Sequence, residues 1–249
     1  MNFHDTIPRL LDALQDDDSH TEYDPWTIHP SQAAKCPRQA YLSKLGLLDH
    51  SDHHGTFQVG NLFHAFLEDH ADRLVDLNAG RTNQLQFERD VSVRVDDVHF
   101  VGTYDCYDPH ENALYDFKTH ANFRYLNRPV ERHLDQLTVY MHALEVPNAK
   151  LVYLQKKDFE VATHPEQDAD NEYVAFDPER LDDVVDRARR VCEAVADYGI
   201  PLDEASIPFE KCGCFMCESE SLDLPDVETV DQLLAGDSDL PVTASEPSV

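Results

Sequence analysis

No stretch of this chain approaches the ~18 uninterrupted apolar residues needed to span a membrane. The N-terminal MNFHDTIPRLLDALQDDD lacks a basic start, a long apolar run and a small-residue cleavage site. These absences exclude the usual membrane-span and secretory-signal readings and lead to the expectation of a cytoplasmic protein. Basic residues are scarce: 20 Lys and Arg, only seven of them Lys, stand against 49 Asp and Glu, for a net charge of −29. So acidic a chain repels nucleic acid in dilute buffer, but at ~1 M salt the Debye length is only ~3 Å and that repulsion largely vanishes. The carboxylates are spread over nearly every surface-type stretch and are not gathered into runs. Adaptation to a salt-rich cytoplasm therefore accounts for them better than an acidic interaction surface or a mimic of nucleic acid. No internal repeat is evident.

What is present is enough for a folded core. The 249 residues (28.4 kDa) suffice for one large domain or a domain with a small module, and 41% hydrophobic content with 12 Phe and 10 Tyr excludes a chain disordered throughout. Apolar spacing predicts a helix over Ile7–Leu14, a second after Cys36-Pro37 ending near Gly46, and a third from Gly60 to about Leu77. QFERDVSVRV, VHFVGTYDCY and ALYDFKT alternate like strands and are separated by the turn-forming Asp96-Asp97 and DPHEN, which predicts a meander. A helix through HLDQLTVYMHAL, entered at Pro129, leads to a central strand KLVYLQK. A further strand at EYVAF and a long helix closed by Gly199 follow. The Asp-, Ser- and Pro-rich end is expected to be flexible.

The chemistry concentrates on the meander and the helices beside it. A hairpin brings Asp105 near Asp116, and strand alternation points Asp116 and Lys118 to one face. Two carboxylates and an ammonium suit Mg²⁺ or Mn²⁺ and a phosphate, although Asp-x-Lys alone is equally an exposed ion pair. Gly60, His64 and Glu68 are spaced four apart and share a helical face, with His64 a candidate ligand and Glu68 a candidate helper in or behind the metal shell. Gln136 and Tyr140 are again four apart, with Arg132 on the same predicted face; amide, phenol and guanidinium suit a phosphate backbone or an attacking water. Between Lys118 and Lys157 seven basic residues meet three acidic ones, a local charge of +4 in a chain of −29, and DNA is expected beside this island. Phe123, Tyr125 and Tyr140 are candidates for stacking on bases.

The ordered set GxxxHxxxE, GTYD, DFK and QxxxY resembles the RecB-like branch of the PD-(D/E)XK nuclease superfamily. CPRQAYL and the late three-cysteine cluster look like the CRISPR-associated exonuclease family and the related AddB nuclease domains, over roughly Ser31 to Glu218. The resemblance implies an α/β restriction-endonuclease-like core, a mixed sheet flanked by helices. It further implies His64, Asp105, Asp116 and the Phe117 carbonyl as metal ligands, Lys118 as the catalytic lysine, and Gln136 and Tyr140 as DNA and active-site positioning groups. The implied activity is a DNA exonuclease acting on single strands or ends, with possible CRISPR adaptation proteins as partners. A repair nuclease of the AddB/RecB type and a noncatalytic DNA-end-binding subunit are the alternatives.

A reducing compartment argues against a disulfide framework, so the six cysteines favour metal or cluster ligation. Cys36 with Cys212, Cys214 and Cys217 would form a clasp joining the N- and C-terminal regions, suited to a 4Fe-4S cluster with Zn²⁺ as the alternative. The family resemblance favours iron-sulfur, although CxCxxC is tighter than the usual family spacing. Cys106 and Cys192 read as buried structural thiols. The expected division is an N-terminal helical region 1–54, a nuclease core 55–200, the clasp 201–222 and an acidic tail 223–249.

Overall fold

The computed structural model describes residues 24–48, 54–71, 85–126, 128–166, 171–225 and 242–243. The expected helix at Ile7–Leu14 and nearly all of the acidic tail lie outside them. In chain order the elements are β1 (Thr27–Ile28), α1 (Pro30–Ala33), α2 (Pro37–Lys44), α3 (His54–Asp69), β2 (Gln86–Val95), β3 (Val98–Asp108) and β4 (Ala113–His120). These are followed by α4 (Glu131–Leu144), β5 (Asn148–Gln155), β6 (Val161–His164), β7 (Val174–Ala175), α5 (Pro178–Tyr198), β8 (Ile200–Pro201), α6 (Phe215–Glu218) and β9 (Val242–Thr243). Among the described residues no helix is long and apolar enough to cross a membrane.

The chain divides into two compact units. One comprises Met1–Asp52, Arg94–Phe100 and Asp182–Val249; the other comprises His53–Val93 and Val101–Leu181. In the first, Pro37 opens α2 after an extended Cys36, and Gly46 at φ +70° follows its end, the left-handed conformation that stops a helix at least cost. Buried here are Ile28, Tyr41, Leu42, Val184, Ala188 and Val191, and the Tyr41 hydroxyl donates to the Gly199 carbonyl at 2.5 Å. Thr27 and Ile28 pair in parallel with His99 and Phe100. Arg189 ties together Asp96, Asp97 and Asp186, one cation serving three carboxylates.

The second unit carries the mixed sheet. β2 pairs with β3, and β3 runs antiparallel to β4 with Cys106 opposite Tyr115 and Asp108 opposite Ala113. The turn between β3 and β4 is fixed by the Asp108 carboxylate, which accepts the N–H groups of His110 and Glu111, and by Asn112 at φ +49°. β4 then pairs in parallel with β5 over eight residues, from Ala113↔Asn148 to His120↔Gln155. A parallel pair requires a crossover, and α4 supplies it, packing Leu137, Tyr140 and Met141 against Leu114, Leu151 and Tyr153. β6 and β7 add antiparallel to β5. Arg180 pins this unit's Glu131 and Asp135.

Several boundaries differ from the sequence expectation. Helix α3 begins at His54, ahead of Gly60, and runs to Asp69, while residues 72–77 lie outside the described set. EYVAF contributes only Val174–Ala175 to the sheet, because Asp177 immediately caps α5 by accepting the N–H groups of Glu179 and Arg180. Strands β1, β6 and β8 had no clear period, being two to four residues long.

Candidate active site and cysteine centre

Strands β2, β3 and β4 and helix α3 place a polar cluster within the second unit. Asp105 and Asp116 are buried at 8% and 1% exposure, and the Asp105 Oδ2 accepts the Phe117 N–H at 2.5 Å. Two residues along β4, and so on the same face, Lys118 donates from Nζ to Asp116 Oδ1 at 2.8 Å. The other oxygen, Asp116 Oδ2, is buried and has no hydrogen-bond partner. From α3, the His64 ring reaches in: Nε2 lies 3.2 Å from the Phe117 carbonyl oxygen and Nδ1 lies 3.0 Å from Glu88 Oε1 and 3.8 Å from Asp105 Oδ1. Aromatic rings wall the cluster, with Phe117 stacked on Phe87 and meeting Phe63 edge-on.

These groups shift one another's protonation. Burial, helped by the like charge of Asp116 and opposed by Lys118, His64 and the Phe117 N–H, pushes the Asp105 carboxyl up to about 7. Burial works against charge on Lys118, but Asp116 and Asp105 outweigh it and hold the ammonium above its usual range. His64 behaves likewise: desolvation opposes its charge, while the hydrogen bond to Glu88 and the charges of Asp105 and Glu88 raise its pKa overall.

The donors fit a hard divalent ion. The carboxylates and the backbone carbonyl are ligand types of Mg²⁺ and Mn²⁺, and the imidazole beside them is a donor that transition ions take more readily than Mg²⁺. Adjacent ligands of an octahedral ion bound at ~2.1 Å lie roughly 3 Å apart, and His64 Nε2 and the Phe117 oxygen are 3.2 Å apart. An unpartnered buried carboxylate oxygen costs free energy unless a cation or water meets it, and Asp116 Oδ2 is such an atom. A family model for the PD-(D/E)XK nuclease superfamily matches residues 73–222, more than half of the sequence. The chain belongs to that superfamily.

One solved structure shares the fold. The crystal structure of SSO0001 is 18% identical with a TM-score of 0.54, covering 76% of this chain and 86% of that one. A phage-related exonuclease from Haemophilus somnus 129PT is 13% identical with a TM-score of 0.39, covering 67% of this chain and 92% of that one. No curated protein matches in sequence.

Within this nuclease-superfamily chain the candidate residues separate into those the fold gathers and those it does not. His64, Asp105, Asp116, Phe117 and Lys118 converge as described. Glu68 does not: it is exposed on α3, one turn beyond His64. The carboxylate that meets His64 is Glu88 on β2, and His64, Glu88 and Asp105 offer ligand atoms within 4.8 Å of one another. No spacing rule flagged Glu88. It sits at φ +44°, a left-handed conformation that costs a non-glycine residue about 1–3 kcal/mol and is concentrated at functional sites.

On α4, Gln136 hydrogen-bonds Tyr140, whose pKa is raised by burial. Tyr140 is 4% exposed within the core, so its ring has no open face for a base; Tyr125, at 77%, does. Arg132 is exposed and makes no ion pair among the described residues. Arg128 lies 4.8 Å over the Phe123 ring, which packs against the core.

The first unit gathers four cysteines. Cys36 precedes α2, Cys214 precedes α6, and Cys212 and Cys217 complete the set. The Sγ atoms of Cys36 and Cys217 are 3.5 Å apart, those of Cys212 and Cys217 3.7 Å, and those of Cys214 and Cys36 3.9 Å. None is in a disulfide, and Cys106 and Cys192 are buried away from the group. The Cys214 N–H lowers the Cys212 thiol to about 7, whereas burial raises Cys36.

Proposed function

We propose that the protein is a Mg²⁺- or Mn²⁺-dependent DNA exonuclease acting on single strands or DNA ends. The observation that carries this reading is the convergence of His64, Asp105 and the Phe117 carbonyl beside the Lys118–Asp116 pair, with Asp116 Oδ2 buried and unpartnered. His64 Nε2, Asp105, Asp116 and the Phe117 oxygen would hold the ion. When bound, it polarises the scissile phosphate and lowers the pKa of an attacking water.

The chain's own groups do the rest. Glu88 accepts from the His64 Nδ1–H and so keeps Nε2 turned inward, the usual service of a carboxylate behind a ligating imidazole. Asp116 anchors the Lys118 ammonium, and burial among acids keeps it charged, ready to orient water or to neutralise charge growing on the phosphate. Gln136 and Tyr140 position the α4 side of the pocket. Exposed Arg132, Arg124 and Tyr125 suit a DNA strand, the cations for phosphate and the ring for a base. A net charge of −29 makes DNA binding dependent on molar salt, consistent with a salt-rich cytoplasm. The resemblance to CRISPR-associated exonucleases favours a role in spacer acquisition.

The test is cleavage of end-labelled single- and double-stranded DNA in ~1 M KCl, where surface repulsion is screened. Wild-type protein should require Mn²⁺ or Mg²⁺ and release label from an end. Lys118→Ala should lose at least on the order of 100-fold in rate while still folding, with a lowered melting temperature because Asp116 loses the partner of its Oδ1. Metal-independent cleavage, or a Lys118→Ala protein as active as wild type, would overturn the assignment.

A further inference from the structure

The spacing of the four thiols constrains what they can hold. In a tetrahedral site with Zn–S bonds of 2.3 Å the sulfurs lie about 3.8 Å apart. The three sulfur pairs above span 3.5 to 3.9 Å, and all four Sγ atoms lie within 4.8 Å of one another. A cubane is larger: its irons stand at the corners of a tetrahedron and each thiolate projects outward, so the four Sγ atoms are roughly 6.4 Å apart. That cluster does not fit between sulfurs this close. Nor do disulfides explain the group, since an S–S bond is about 2.05 Å long.

The local chain supports a compact centre. Cys212 and Cys214 are separated by one residue, Gly213, at φ +75°, where an L side chain would be strained, and this turn lets the two thiols aim at one point. We infer that Cys36, Cys212, Cys214 and Cys217 bind a single tetrahedral Zn²⁺ and not the 4Fe-4S cluster that the family resemblance implies. The ion closes a loop of 181 residues between Cys36 and Cys217, so its contribution is to folding.

The full-length protein should be purified anaerobically from cells supplied with both metals, then assayed for zinc, iron and acid-labile sulfide. One zinc per chain, with neither iron nor sulfide and no visible absorption, is the expected result. Metal-stripped protein offered Zn²⁺, or Fe²⁺ with sulfide, should retain only zinc through gel filtration. Co²⁺ in its place should give the intense visible bands of a tetrahedral thiolate site. Cys217→Ser should lose the zinc and Cys106→Ser should keep it; if Cys217→Ser does not fold, the wild-type stoichiometry decides alone. Iron and sulfide in equal amounts, about four each per chain, with a broad visible band would overturn the inference. None of these readouts depends on DNA cleavage, so the nuclease assignment stands or falls separately.

Discussion

The pocket around Asp105 draws its donors from one helix and three consecutive strands of a single unit, whereas the cysteine centre takes one ligand at residue 36 and the other three within 212–217. In the pocket the donors already satisfy one another: Lys118 with Asp116, the Phe117 N–H with Asp105, Glu88 with His64, leaving one oxygen over. The cysteines have only weak sulfur contacts among themselves. A site whose groups are held by each other can lose and regain an ion without unfolding. A site whose groups are held chiefly by the ion cannot. The first arrangement suits turnover and the second suits a structural fastening.

The contrast can be tested where the two differ most. Glu88→Gln keeps the side chain's shape but weakens its hold on the His64 ring; cleavage or Mn²⁺ affinity should fall about 10- to 100-fold. Bound zinc should be unchanged. Wild-type kinetics in that variant would show that His64 needs no carboxylate behind it.

A smaller effect should appear in stability against pH. In the metal-free protein Asp105 titrates at about 7, against 3.8 for an ordinary aspartate, so over that interval the folded state keeps a proton the unfolded chain has released. Its contribution is therefore complete below about pH 4 and is lost as pH rises through about 7. The melting temperature of the wild type should fall relative to Asp105→Asn across this window, and saturating Mn²⁺ should reverse the difference. Parallel melting profiles for the two proteins would contradict the burial of that carboxylate. Least of all is expected from Glu68→Gln, which should change the cleavage rate by no more than about twofold, as for a surface residue. A loss comparable to that of Lys118→Ala would return Glu68 to the site.

How far the sequence foretold this contrast depends on what each feature rests upon. Alternation and turn residues were enough to find β2, β3 and β4, and from them the convergence of Asp105, Asp116 and Lys118, because those positions follow from strand period and hairpin closure. The cysteine group was visible because thiols are rare and three are crowded together. Glu68 and Glu88 mark the limit. Helical spacing put Glu68 on the face of His64, but four residues advance it ~6 Å along the axis, to a position exposed to solvent. Glu88 enters through a single left-handed residue on β2, which no propensity scale reports. Tyr140 is similar: its place in QxxxY was legible, while its burial depended on Leu137, Met141 and Leu151 closing around it.

The distance along the chain between Cys36 and Cys217 also bears on biosynthesis. At ribosomal speeds of about 5–20 residues per second, 181 residues take roughly 10 to 35 seconds to emerge. Throughout that interval the first thiol has been translated and its last partner has not, so it is open to oxidants and to unsuitable ions in the cell. The fastening can close only after Cys217 has left the ribosome, which makes metal capture a late checkpoint on a body whose strands β2 to β4 were translated long before.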